Sequence, residues 1–181
     1  LLFPMTVDHQ LIILVQYNAV HAIITNMSII STLGLLPSGC PQSLGVQPVS
    51  AINLPDYARV PRDLQPTNLE LQQRTHSSQS WSNDTIPVPQ LRDNIIGLAH
   101  CIDVYDLAHD LGKGVYDGYD DPERRGLVVW GDRPWSTHGW EVSDGFMRKW
   151  GFLLKGCTEL VLSTNRWREF RGEDGLAGNV A

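Results

Sequence analysis

The sequence predicts a mainly α fold: a single-domain helical bundle with a short strand or hairpin and a long proline-rich loop. Three observations carry this. Apolar runs bounded by helix-capping and helix-breaking residues recur along the chain. The one short β-branched run is GLVVW at 126–130. Six of the eleven prolines fall between residues 37 and 66. With 181 residues, 42% of them apolar, one domain spanning 1–181 can bury a core without disulfides or a structural metal.

The first element is a helix from Thr6 to about Leu33, with Thr6 or Asp8 as N-cap and Gly34 and Pro37 as the stop. Its apolar density invites comparison with a membrane span. Gln16, Asn18, His21, Thr25 and Asn26 interrupt it, however, and no stretch reaches the roughly 18–20 apolar residues a bilayer requires. It is read as a buried core helix, with no membrane partner. Asp8 is the only formally charged residue before Asp56. So apolar a segment needs cover from the rest of the domain or from a second subunit, and a homodimer is compatible with it.

Residues 37–66 form a proline-rich excursion that excludes regular helix. A proline-started helix follows from Pro89 or Gln90, broken near Cys101 and ending at Gly112. KGVYDGYDDPERRG (113–126) is turn-rich, and GLVVW supplies a strand. Ser143 caps a helix in SDGFMRKWGFLLKG, and a last helix spans about Thr158–Arg171. The tail, 172–181, is expected to be flexible.

A formal charge of -6 and a pI near 5.4 argue against nucleic-acid binding by this segment. Cys40, Cys101 and Cys157 are odd in number and lack zinc-ligand spacing, which suits free thiols in the nucleus or cytoplasm. Nothing at LLFPMTVDHQ resembles a signal peptide, and the missing initiator methionine suggests a fragment. No phosphate-cradling loop, nucleophile elbow, HExxH or GxGxxG string occurs, so no metal and no cofactor are expected.

Polar chemistry concentrates in WGDRPWSTHGWE (130–141). Its tryptophans stand five apart, matching neither the helical nor the strand period, so Trp130, Trp135 and Trp140 point in different directions from a loop framed by glycines and Pro134. They can line a ligand slot with Asp132, His138 and Glu141 as polar groups. Alternatively they fill the gap between strand and helix, with their indole N–H groups on carbonyls. Trp130 and Trp140 are expected to pack, and Asp132, Trp135 and His138 to face a cavity.

On the first helix Gln10, Asn18, His21, Thr25, Ser28 and Thr32 share a stripe, with Tyr17 four residues before His21. Facing inward, the stripe would orient a ligand or move a proton; facing outward, it is an ordinary solvated side. Arg92, Asp93 and Asn94 offer either an arginine clamp on an anion or an ion pair to the C-terminal segment. Asp103, Asp106 and Asp110 could hold a hard cation or form a solvated face. Cys157, inside FLLKGCTELVL, reads as packed and inert.

LQPTNLEL (64–71), His76, Trp81, PVPQLRDNII (87–96), VVWGDRPW (128–135), GWEVSDGFMRKWGFLLKGC (139–157) and STNRWREFRG (163–172) resemble a fungal domain of unknown function that commonly follows a basic-leucine-zipper segment in transcription factors. VDHQLIILVQYNAVHAIITNMSIIS is similar to that family's first helix. Ser136, Thr137 and His138 stand where the family usually has an Asp-Pro pair, the His-Pro-Trp element is stretched into HSSQSW, and no basic region or zipper is present in the sequence. The resemblance implies a fungal regulator, usually nuclear, and supplies no catalytic residues.

Two functions follow. One is a regulatory or small-molecule-sensing domain, binding a small hydrophobic or aromatic metabolite through Tyr17, Asn18, Arg92, Trp130, Trp135 and Trp140. The other is a stand-alone enzyme of fungal secondary metabolism, a cyclase or isomerase using His21, Asp132, His138 or Glu141 as acid or base. A pure interaction scaffold is the third possibility.

Overall fold

A computed structural model describes residues 7–32, 61–74, 83–113 and 126–176. The expected caps at Thr6 and Gly34, most of the proline-rich excursion, Cys40, His76 and Trp81 lie outside them.

Six α-helices and one two-stranded antiparallel sheet make up the described fold. Helix α1 (Val7–Thr32) comes first, followed by a 3-10 turn at Arg62–Leu64 and α2 (Asn68–Arg74). Helix α3 (Pro89–Leu98) starts on the proline, as its sequence predicts, but stops well short of Gly112. A separate α4 (Val104–Ala108) follows, passing into a π-helical turn at His109–Lys113. Asp103 causes that restart, because its carboxylate caps the Tyr105 and Asp106 amides at 2.9 and 3.1 Å.

Strands β1 (Leu127–Val129) and β2 (Trp140–Val142) pair in the register Leu127↔Val142, Val128↔Glu141 and Val129↔Trp140. The GLVVW strand therefore belongs to a hairpin, and the tryptophan segment is its loop. Helix α5 (Asp144–Trp150) is capped by Ser143, whose hydroxyl accepts from the Phe146 amide at 3.1 Å. A 3-10 turn at Gly151–Leu154 leads to α6 (Thr158–Arg171), which has the expected bounds. Gly172, at φ 74°, closes α6 in the left-handed conformation that glycine adopts without strain. From there to Leu176 the chain is held down, since the Leu176 amide donates to Asn165 Oδ1 at 2.7 Å.

The hairpin lies between α1, which packs on β1, and α6, which packs on β2. Val129, Trp140, Val142, Phe146, Trp150, Leu153, Leu154 and Leu160 form the centre of the core. Helix α3 buries Leu91 and Ile95 against the 151–154 turn and carries α2 beside it. Among the described residues no helix is long and apolar enough to cross a membrane.

Helix α1 buries Val15, Ala19, Ala22, Asn26 and Ile29, a stripe spaced 4, 3, 4 and 3. The polar stripe read from the sequence straddles its edge. Asn18 is half-buried and donates to the Val129 carbonyl at 3.2 Å, Thr25 is buried, and His21 is exposed.

Candidate functional site

The loop between the strands is shaped by two glycines and one proline. Gly131, at φ 79°, turns the chain immediately after Trp130. The Trp130 amide donates to the Gly139 carbonyl at 2.7 Å and closes the loop. A Cβ on Gly139 would stand 2.8 Å from the Trp130 carbonyl oxygen, so only glycine fits there without displacing backbone. Pro134 is buried, and its carbonyl accepts from the indole of Trp140 and from Asn26 Nδ2, each at 2.8 Å. One carbonyl thus pins the loop to both β2 and α1.

The three tryptophans separate in role. Trp140 is a core side chain, 3% exposed. Trp130 is half-buried and donates its indole N–H to Glu141 at 2.6 Å. Its ring lies 5.9 Å from that of Trp167, and the Arg171 guanidinium sits 5.4 Å above it. Trp135 is half-buried, while Asp132 and His138 are exposed on the loop. The His138 backbone is nonetheless fixed, because its carbonyl accepts from the Trp167 indole and lies 2.9 Å from the Ser163 hydroxyl.

Glu141 is buried on β2 and fully engaged. Arg171 grips both its oxygens, at 2.8 and 2.6 Å, and Trp130 adds a third hydrogen bond. Arg171 also holds Glu173 at 2.7 and 2.8 Å. Such a bidentate, charge-assisted pair locks the hairpin to the end of α6.

Arg92 is 1% exposed and lies on α3. Its Nε donates to Glu70 Oε1 at 2.6 Å and its Nη2 reaches Glu70 Oε2 at 3.4 Å. Nη1 donates to the Asp63 and Ile86 carbonyls and Nη2 to that of Gln65, all at 2.7 Å. All five guanidinium N–H groups are spent inside the fold, so Arg92 has none left for a ligand. Its ion partner is on α2, not on the C-terminal segment. Asn94 makes that second tie, donating to the Leu153 and Lys155 carbonyls at 2.7 Å.

The residues around Arg92 also set the position of the loop. Asp63, whose carbonyl Arg92 holds, accepts from the Thr137 amide at 2.8 Å through its carboxylate. The Thr137 hydroxyl is seated against the Asp63 carboxylate and the Pro87 carbonyl. Arg92 therefore positions the tryptophan loop through Asp63. Neither Glu70 nor Asp63 was singled out by the sequence reading, yet a signal for Glu70 was available. Thr67-Asn68-Leu69-Glu70 is a capping box: Glu70 accepts from the Thr67 amide at 2.6 Å, and Thr67 Oγ1 from the Glu70 amide at 3.2 Å.

Of the three aspartates expected either to bind a cation or to face water, Asp103 and Asp106 are exposed and Asp110 is buried. Lys149 donates to Asp106 at 2.7 Å and to buried Asp110 at 2.6 Å, and the Trp150 indole donates to Asp110 at 2.9 Å. Burial works to raise the Asp110 pKa, but hydrogen bonds from Lys149 and Trp150 overcome it and leave the carboxyl below the ordinary aspartate value. Among the described residues no cluster of His, Cys, Asp and Glu suits a metal ion. Cys157 is buried and desolvated, so its thiol is pushed up to about 12 and stays protonated.

At the junction of α1, residues 83–85 and the loop, polar groups are left over. Asn26, fully buried, spends its amide N–H groups on the Thr85 and Pro134 carbonyls, both at 2.8 Å. Its Oδ1 and the Oγ1 of neighbouring Thr25 are buried with no hydrogen-bond partner among the described residues. Orphaned buried polar atoms are rare because each carries a desolvation cost of about 1–3 kcal/mol.

Tyr17 and His21 lie elsewhere, stacked on each other on the outside of α1 with ring centroids 5.8 Å apart. The structure thus groups Asn18, Trp130, Trp135, Trp140, Asp132, His138 and Glu141 around the hairpin, and leaves Tyr17, His21 and Arg92 apart from its loop.

No curated protein and no solved structure matches the chain. Residues 51–161 match the family described as a domain of unknown function, DUF3425. That stretch takes in α2 through α5, the hairpin and the start of α6, and covers more than half of the sequence: the chain belongs to the DUF3425 family.

Proposed function

We propose that this chain is a regulatory domain that senses a small molecule between α1 and the tryptophan loop, within a transcription regulator of the basic-zipper type acting in the nucleus. The family resemblance motivates the regulatory setting. The observation that carries the ligand reading is the pair of orphaned buried atoms, Thr25 Oγ1 and Asn26 Oδ1, beside the carbonyl that anchors the loop. A small hydrophobic or aromatic metabolite whose polar group pairs with both Thr25 Oγ1 and Asn26 Oδ1 would satisfy the two orphaned atoms and stack near Trp135, with Asp132 and His138 at the solvent edge. Binding there would be felt by the loop directly, because Asn26 and Trp140 share the Pro134 carbonyl.

The alternative is an enzyme using His21, Asp132, His138 or Glu141. It has less support, since Glu141 is taken up by Arg171 and Trp130 and His21 lies on the outer face of α1.

Native mass spectrometry of the purified chain, paired with thermal melting, tests the reading. The parent should retain a small molecule. Thr25→Val removes an unpaired hydroxyl while keeping its shape, so the ligand-free protein should gain about 1 kcal/mol of stability and the adduct should be lost. Asp132→Ala and His138→Ala should stay within about 0.5 kcal/mol of the parent and weaken retention. Full retention in Thr25→Val would sink the proposed location.

A further inference from the structure

We infer that the buried site at Thr25 and Asn26 takes a neutral hydroxyl, phenolic or alcoholic, and discriminates against ethers, ketones and carboxylates; this rests on the ligand reading proposed above. The two residues are consecutive on α1 and both are buried. The Asn26 amide has only one workable orientation. Its N–H groups meet the Thr85 and Pro134 carbonyls, both at 2.8 Å, and the reversed amide would set oxygen against a carbonyl oxygen. Asn26 Oδ1 is therefore a fixed acceptor that needs a donor, and being buried it has no water surface to turn to.

Thr25 Oγ1 supplies the complement. On the same helix Ser28 returns its hydroxyl to the Ile24 carbonyl at 2.8 Å, whereas the Thr25 hydroxyl makes no such bond and stays unpaired. A hydroxyl both donates and accepts, so one ligand O–H can donate to Asn26 Oδ1 while its oxygen accepts from Thr25. An ether or ketone only accepts; it would serve Thr25 and leave Asn26 Oδ1 orphaned. A carboxylate would add a negative oxygen facing that acceptor. Arg92, the buried cation that reaches Ile86 beside Thr85, has spent its N–H groups and cannot balance such a charge. An ammonium fares no better, because Asp84, the buried carboxylate of the same turn, is already engaged and an unpaired buried charge is costly. The Pro134 carbonyl is likewise taken, accepting from both Asn26 and Trp140.

Probes of similar shape test this by NMR titration of the isotope-labelled full chain: p-cresol, p-methylanisole, p-toluate and p-xylene. p-Cresol should move the Asn26 side-chain amide signals and bind roughly 10-fold or more tightly than p-methylanisole or p-xylene, because only it supplies the missing donor. p-Toluate should not bind. Thr25→Val, which keeps Asn26 and the shape of the side chain, should weaken p-cresol and leave p-xylene unchanged. If p-methylanisole or p-toluate moves the Asn26 signals as readily as p-cresol does, the hydroxyl requirement falls and the site stands. A preference for p-cresol that Thr25→Val leaves untouched also overturns the inference, since the ligand oxygen would then lie elsewhere. Should no probe move the Asn26 signals, the two atoms belong to an enclosed water, and the site and the inference fall together.

Discussion

Two arginine–carboxylate pairs hold this molecule together, and they work differently. Arg92 and Glu70 are 1% and 2% exposed, and every donor of the arginine is matched by an acceptor. Arg171, at the surface end of α6, grips the buried Glu141 of β2 from outside; the arginine is 31% exposed and shared with Glu173. The first pair fastens α2, α3 and the 61–67 segment into one body; the second clasps the finished hairpin from outside. The same chemistry is therefore a condition of the fold in one region and an adjustable contact in the other. The deciding factor is desolvation: a buried charge without its partner has no water to turn to.

The largest effect expected from this contrast is that of Arg92→Met. It strands the Glu70 carboxylate together with the carbonyls of Asp63, Gln65 and Ile86, and should destabilise the protein by about 3–5 kcal/mol. Because Asp63 also seats Thr137, the substitution should loosen the tryptophan loop and alter its fluorescence. Urea unfolding of Arg92→Met checks the energy. A loss below about 1 kcal/mol would erase the distinction between the two pairs.

Arg171→Met should cost less, about 1–2 kcal/mol, because water can reach the Glu141 carboxylate once the clasp opens and Trp130 still donates to it. Removal of the guanidinium over the Trp130 ring should also shift indole emission. Added salt should shrink the Arg171→Met effect and leave that of Arg92→Met almost untouched, because only Arg171 is open to screening ions.

The smallest effect is on pH dependence. Asp110, Asp144 and Glu173 all have carboxyls held below their ordinary values. A depressed folded pKa contributes stability above the unfolded value and loses it as pH falls through the folded one, so the protein should weaken progressively below about pH 4. Asp110→Asn should flatten part of that acid limb in melting curves recorded between neutral and acid pH. An unchanged limb would show that Lys149 and Trp150 do not stabilise the Asp110 carboxylate more than water does.

Much of the fold was legible locally. Pro89 as a helix start, Ser143 as a cap and the bounds of α6 follow from residues a few positions apart. The start of α2 is equally local, since it rests on the capping box of Thr67 and Glu70 immediately after the proline-rich stretch. The break expected near Cys101 falls between α3 and α4, and Asp103 caps the new helix there.

The candidate site divides the same way. Its loop character was visible in the tryptophan spacing and in the glycine and proline breakers, because backbone conformation is fixed by neighbours. Which side chains meet was not, since Asn26 reaches Pro134 across 108 residues and Thr137 reaches Asp63 across 74. Arg92 stays open between an anion clamp and an internal ion pair at the level of sequence, which reports a donor but not its acceptors; the fold surrounds it with three carbonyls from two segments and with Glu70. The sequence by itself determined where helices start and stop and that α1 is nearly free of charge, through steric and hydrogen-bonding preferences that act within a turn or two. Only the tertiary structure decided which charges are buried, which acceptors are left orphaned at Thr25 and Asn26, and which face of α1 remains outward. Desolvation depends on what surrounds a group in space, and residues far apart in the chain supply those surroundings.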